Sequence, residues 1–246
     1  PITDKDDRKL LKNILSYQTK KNLQLEINKL KKEATELQSV VMKEDLRRMK
    51  KFLKRLEYVT IENILTKKGR FACEITAGDE IVITNMIFSG LFNELTIEQS
   101  VALLSCFVHN EGVGNASSSS ANGTNGSEAN TVLKFRSEMH KPFRSMLVII
   151  KDILQSYKEC HIPIDENDYI NSFNPMLIDV TYAWAQGQKF VDICKISEVF
   201  EGSIIRSLRR LDELLRQLAA ASLSIGNHEL VNLFTEGSTK IRRGVV

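Results

Sequence analysis

Proline and glycine are scarce here, 4 and 12 of 246 residues. With so few backbone breakers and with long stretches of 3.6-residue periodicity, the chain reads as mainly α-helical. Cysteine is limited to Cys73, Cys106, Cys160 and Cys194, each isolated, with no CxxC pair and only 4 histidines. That argues against a zinc site and for reduced, core-filling thiols. No apolar run reaches membrane-spanning length and no signal-peptide pattern is present, so a nuclear or cytoplasmic setting is expected and no membrane partner. Charge of one sign is also lacking. The net +3 arises from 34 basic and 31 acidic side chains, a weak pointer to an acidic partner that does not identify nucleic acid. Reaction chemistry is missing as well: there is no Gly-rich phosphate loop, no paired carboxylates in an acid–base setting and no nucleophile with a partnered histidine. The chain is not expected to hydrolyse ATP or to hold a cofactor or metal of its own.

What is present is a 42% hydrophobic content, enough for one large or two small domains with a substantial core. Its longest clean amphipathic stretch is 198–221. A helix beginning near Gly202 puts Ile204, Leu208, Leu211, Leu215 and Leu218 on one apolar stripe. Arg206, Arg210, Glu213 and Gln217 then share the opposite face. Residues 198–217 hold four acidic and four basic side chains, so composition fits a solvated, salt-bridged exterior as well as a wall for single-stranded RNA.

In chain order, residues 6–42 form a long charged helix. Leu23, Ile27, Leu30, Ala34, Leu37 and Val41 alternate steps of four and three, a heptad seam that needs a second helix to cover it. Self-association through 6–42 is one way to supply it; an upstream antiparallel strand is the other. Residues 43–56 carry the stripe Leu46, Met49, Leu53 and Leu56, beside a basic side with Arg47, Arg48, Lys51 and Lys54; the segment nets +5. That side fits either an RNA backbone guide or a docking surface. Residues 66–75, with Gly69 as a break and Phe71, Cys73 and Ile75 alternating, read as an extended linker. Asp79 opens an apolar helix that ends near Gly90. Thr96 and Gln99 form a capping box ahead of a buried run to Val108. Residues 112–131 are rich in Ser, Asn, Gly and Ala and read as a flexible insertion, so the glycosylation sequons at Asn115, Asn122 and Asn125 are read as chance. A helix over 133–157 follows, with the stripe Phe143, Leu147, Ile150 and Leu154 and Pro142 in an early turn. Pro163 and the acids near Asp165 mark a connection. Further helices run from Pro175 through the core residue Trp184, over 190–195, and over 229–245 with Leu230, Leu233 and Phe234 inward.

Several of these segments carry motifs of one family. Val199-Phe200-Glu201-Gly202-Ser203-Ile204-Ile205-Arg206 and Arg209-Arg210-Leu211-Asp212-Glu213-Leu214-Leu215-Arg216 resemble the C-terminal helical domain of exosome-associated superfamily-2 RNA helicases. Lys68-Gly69-Arg70-Phe71-Ala72-Cys73-Glu74-Ile75, Leu103-Leu104-Ser105-Cys106-Phe107 with Asn110-Glu111, and Met176, Asp179, Val180, Ala183 and Trp184 extend the likeness. The nuclear surveillance-complex type is nearer than the cytoplasmic superkiller type. The resemblance implies an all-α multi-helix bundle at 43–246, preceded at 1–42 by one long coiled-coil-like helix. That arm would be the returning strand of the arch stalk, and the chain would be part of a longer enzyme that continues past Ile241-Arg242-Arg243 and Val245-Val246. It also implies that 198–221 is the ratchet helix, lying across RNA as it leaves two motor domains. Arg206, Arg210 and Glu213 match its RNA-contacting positions. Glu111 matches a further RNA-contacting acid, although His109 replaces the family's aromatic and Gly112 its basic residue. The motor domains would supply ATP and Mg, and the parent would be an ATP-dependent 3′–5′ RNA helicase feeding the exosome for processing and decay. Partners implied are single-stranded RNA, the motor domains, the exosome and its adaptors, in the nucleus or nucleolus, with the cytoplasm as alternative. The competing reading is a helical docking module for the motor core or exosome cofactors that does not touch RNA.

Overall fold

The computed structural model describes residues 4–108 and 135–244. Among them there is no strand, only an isolated bridge between Val59 and Leu65, and the class is all-α. The chain divides between Lys50 and Lys51 into two units.

Helix α1 (Asp4–Arg55) begins in the first unit and ends in the second. Within the first unit it carries exposed i,i+4 pairs such as Lys29–Glu33 and Lys32–Glu36 at 3.9 Å. Such exposed pairs each contribute a few tenths of a kcal/mol, ~0.3–0.5. The seam residues Leu23, Ile27, Leu30 and Leu37 are exposed. Further along, Leu46 and Met49 are exposed too, so the stripe expected at 43–56 is only partly inward. The anchor of the last turns is Phe52, buried and stacked on Tyr157 with ring centroids 4.1 Å apart, while Leu53 and Leu56 pack half-buried beside it.

In the second unit α1 is followed by α2 (Lys67–Cys73), α3 (Glu80–Phe88), α4 (Ile97–Leu104), α5 (His140–Glu159), α6 (Glu166–Asn171), α7 (Ile178–Ala185), α8 (Phe190–Ile193), α9 (Glu201–Ser224) and α10 (His228–Ile241), with 3-10 turns between several of them. Helix α4 is the centre: it packs on α5, α7, α9 and α10, and Val101 to Leu104 are buried. Its start is the expected capping box, in which Thr96 Oγ1 accepts from Gln99 N at 3.3 Å and Gln99 Oε1 accepts from Thr96 N at 3.0 Å. Asp79 caps α3, accepting from Val82 N at 2.8 Å. Helix α5 begins at His140, later than residue 133, and buries Phe143, Met146, Ile150, Ile153 and Leu154, with Leu147 only partly covered.

Two segments differ from the sequence reading. Most of residues 66–75 form a helix, α2 (Lys67–Cys73), not an extended linker. Thr66 caps α2 by accepting from Gly69 N. Gly69 is there because the helix crosses the Tyr58 carbonyl, where a Cβ would lie 2.2 Å from the oxygen. The helical period turns Phe71 and Ala72 inward and leaves Cys73 exposed, and Ile75 is buried just past the helix end. The acids after Pro163 form α6, capped by Asp165, rather than a bare connection. The cysteines are free; Cys106 and Cys160 are buried and Cys194 half-buried. Trp184 is core: its Nε1 donates to Ile241 O at 2.9 Å, and the Arg243 guanidinium lies 4.0 Å from the ring centroid. Burial lowers the Arg243 pKa from its ordinary value.

Candidate functional site

Helix α9 starts where the turn around Ser197 ends, and Phe200 lies across Gly202, at which a Cβ would meet the ring at 2.8 Å. The apolar stripe is seated as the periodicity requires. Ile204, Leu208, Leu211, Leu215 and Leu218 are at most 2% exposed. The burial of five such side chains contributes on the order of 2 kcal/mol each before entropy. With that face fixed, Arg206, Arg210 and Glu213 are all exposed on the other.

Each is oriented. Arg206 Nη2 donates to Ser203 Oγ at 3.0 Å. Arg210 Nη1 reaches Val108 O at 3.5 Å, the outer limit of a hydrogen bond. Glu213 accepts from Arg216 Nη2 at 2.6 Å and from Gln217 Nε2 at 3.2 Å. The result is two guanidiniums and a carboxylate along one helical face, on a rigid scaffold. Such a face offers charge and planar stacking surfaces for a strand, with a carboxylate acceptor for hydrogen bonds. Glu111 and the insertion at 112–131 lie outside the described residues.

Gln217 also lies on this helix side, but its amide turns to the α2–α3 turn, accepting from Thr76 N at 2.8 Å and Ala77 N at 3.0 Å. Sequence reasoning missed this partner, 141 positions away. It also missed Asp212, which is 5% exposed, accepts from Ser238 Oγ at 2.6 Å and Arg242 Nε at 3.1 Å, and forms an ion pair with Arg216 Nε at 3.3 Å. A signal existed: Asp212 is four residues from Leu208, hence on the buried side, and a buried carboxylate requires partners.

The basic residues of α1 have separate surroundings. Arg47 and Lys51 are exposed. Arg48 pairs with Glu44 at 3.7 Å and Asp45 at 3.9 Å. Lys54 is half-buried and donates to Ile61 O at 2.9 Å, and Arg55 pairs with Glu159. Among the described residues no cluster of His, Cys, Asp and Glu could hold a metal, and no helix is long and apolar enough to cross a membrane.

Comparison with known proteins adds a family. The model of the DSHCT (NUC185) domain matches residues 62–246. The chain is 43% identical over 227 residues to the exosome RNA helicase MTR4 of Homo sapiens and of Mus musculus, covering 92% of this chain and 20% of each relative. It is 37% identical over 230 residues to the ATP-dependent RNA helicase mtr4 of Schizosaccharomyces pombe, covering 94% of this chain and 19% of that protein. The chain therefore spans about a fifth of the length of these curated relatives.

Proposed function

The chain belongs to the DSHCT (NUC185) domain family found in exosome RNA helicases of the MTR4 type, and from that membership we propose that it is the RNA-guiding helical domain of an ATP-dependent 3′–5′ helicase. The parent feeds RNA to the exosome for processing and decay, in the nucleus or nucleolus, with the cytoplasm as the alternative site. Motor domains of the parent bind ATP and Mg, and the chain's other partners are the exosome and its adaptors. The role of this chain is geometric. It closes one side of the strand's path, so that motor opening and closing draws RNA past the side chains of α9.

The observation that carries the reading is the exposed row Arg206, Arg210 and Glu213 on a helix whose opposite face is locked into the core. Arginines on a rigid face hold phosphate or stack on bases without reading sequence. Glu111 belongs to the same proposed path by family likeness. Fluorescence anisotropy of labelled single-stranded RNA tests this at low and moderate salt. Replacing Arg206 and Arg210 by Ala costs about 1–3 kcal/mol per residue if each arginine stacks on a base or pairs with a phosphate. The slope of log affinity against log salt becomes shallower by about 0.7 for each phosphate that is no longer neutralised. Affinity and slope unchanged in the double variant would remove the assignment.

For Arg47, Arg48, Lys51 and Lys54 the docking reading is favoured. Lys54 and Arg48 are already held by groups within the chain, and Leu46 and Met49 stand exposed beside them. A mixed apolar and basic face fits a protein surface of the motor core better than a phosphate backbone.

A further inference from the structure

The side-chain amide of Gln217 is used completely. Its Oε1 accepts from the backbone N–H groups of Thr76 at 2.8 Å and Ala77 at 3.0 Å. Its Nε2 donates to Thr76 Oγ1 at 2.9 Å and to Glu213 Oε1 at 3.2 Å. Two backbone donors on one side admit only the oxygen there, so the amide has a single orientation. The second oxygen of Glu213 takes Arg216 Nη2 at 2.6 Å, so both carboxylate oxygens are held from the helix side.

Thr76 and Glu213 are both exposed, and one nitrogen ties them together. Because Thr76 Oγ1 accepts from Gln217, its own proton remains to donate. A hydroxyl donor beside a carboxylate acceptor matches a ribose 2′-hydroxyl, which both accepts and donates. Deoxyribose lacks that group.

We propose that Gln217 is a positioning residue that holds the Thr76 hydroxyl beside the Glu213 carboxylate, so that the ribose 2′-hydroxyl of an RNA strand is bound between α9 and the α2–α3 turn. This rests on the reading of α9 as the RNA face, and it adds a second element and a preference for RNA over DNA. Thr76 is the contact residue; Gln217 acts through Thr76 and Glu213.

The test is anisotropy with labelled single-stranded RNA and DNA of one sequence, on the whole chain and three variants. Gln217→Met keeps side-chain length and removes all four bonds. Thr76→Val removes only the hydroxyl at an exposed position, and so covers the case in which the first variant melts at lower temperature. Arg206→Ala with Arg210→Ala tests the RNA face itself. The expected result is that Gln217→Met and Thr76→Val each weaken RNA binding about threefold to tenfold, the size of one or two hydrogen bonds, and leave DNA binding unchanged. The arginine pair weakens both nucleic acids. If Gln217→Met weakens RNA and DNA alike, or neither variant changes RNA binding while the arginine pair does, the positioning role is wrong and the RNA face stands. If the arginine pair changes nothing, or no binding is detected at all, the RNA face fails and the positioning role with it.

Discussion

Asp212 lies one residue past Leu211, and that step carries a carboxylate into the contact between α9 and α10. There it meets Ser238 on α10, Arg242 at that helix's end and Arg216 on its own helix. The arginines are about half exposed, with side-chain exposures of 51% and 53%. Water can therefore solvate both guanidiniums if the carboxylate is removed, whereas the buried Ser238 hydroxyl would be left without its acceptor. Asp212→Ala is expected to lower stability by about 1–3 kcal/mol and Asp212→Asn by less, since the amide oxygen still serves Ser238. A urea midpoint for Asp212→Ala within error of the parent chain would show that the network adds nothing. The same contrast explains what sequence reveals at this scale. Arg206, Arg210 and Glu213 could be placed on an outer face from spacing alone, because exposure follows from the period of their own helix. Gln217 could not be understood that way. It shares their side of the helix, but its partner is Thr76, and no local rule pairs positions 141 apart.

Elements were legible where their signals are local. Asp79 and Thr96 start α3 and α4 because a side chain two or three bonds from the backbone can satisfy a free N–H. The stripe of α9 gave that helix its register. Helix α2 was not legible: three apolar residues at alternate positions imitate a strand over so short a span, and a glycine usually ends a helix. Gly69 instead permits a close crossing over Tyr58. Gly237 does the same job in α10, which packs on both α4 and α9. A Cβ there would come within 2.8 Å of Val101 Cγ2 and 3.6 Å of Leu215 Cδ2. Alanine normally stabilises a helix interior by about 1 kcal/mol relative to glycine. Here the stiff, buried Val101 has to give way, and overpacking of that kind costs about 1–3 kcal/mol. Gly237→Ala is therefore expected to be destabilising despite its higher helix propensity. Val101→Ala should be destabilising alone and should recover part of the loss when combined with Gly237→Ala. Thermal melts of the four proteins check this; strictly additive effects would show that the two helices do not meet as described.

At the scale of the whole molecule the all-α class follows from sparse proline and glycine and from the long helical periods, and the core of the second unit closes on itself. The first unit of α1 does not. Leu23, Ile27, Leu30 and Leu37 stand 45–68% exposed on a 3-4 spacing, whereas burial of a leucine is worth about 1.5–3 kcal/mol. A seam of this period is satisfied by another helix running along it. The charged residues around it, including Lys29, Glu33, Lys32 and Glu36, pair within the helix and do not shield the seam. The chain by itself is thus expected to associate through 6–42 as its concentration rises, burying the seams of two copies against each other. Sedimentation equilibrium should give a mass above 27.9 kDa that increases with concentration. Leu30→Glu should return it to the monomer value, because a carboxylate in the middle of a buried seam must be desolvated without a partner. The same substitution should leave the RNA binding proposed for α9 unchanged per chain, since residue 30 is in the unit that lacks α9. A monomer at every concentration would remove self-association, and would leave an upstream helical arm as the remaining way to cover the seam.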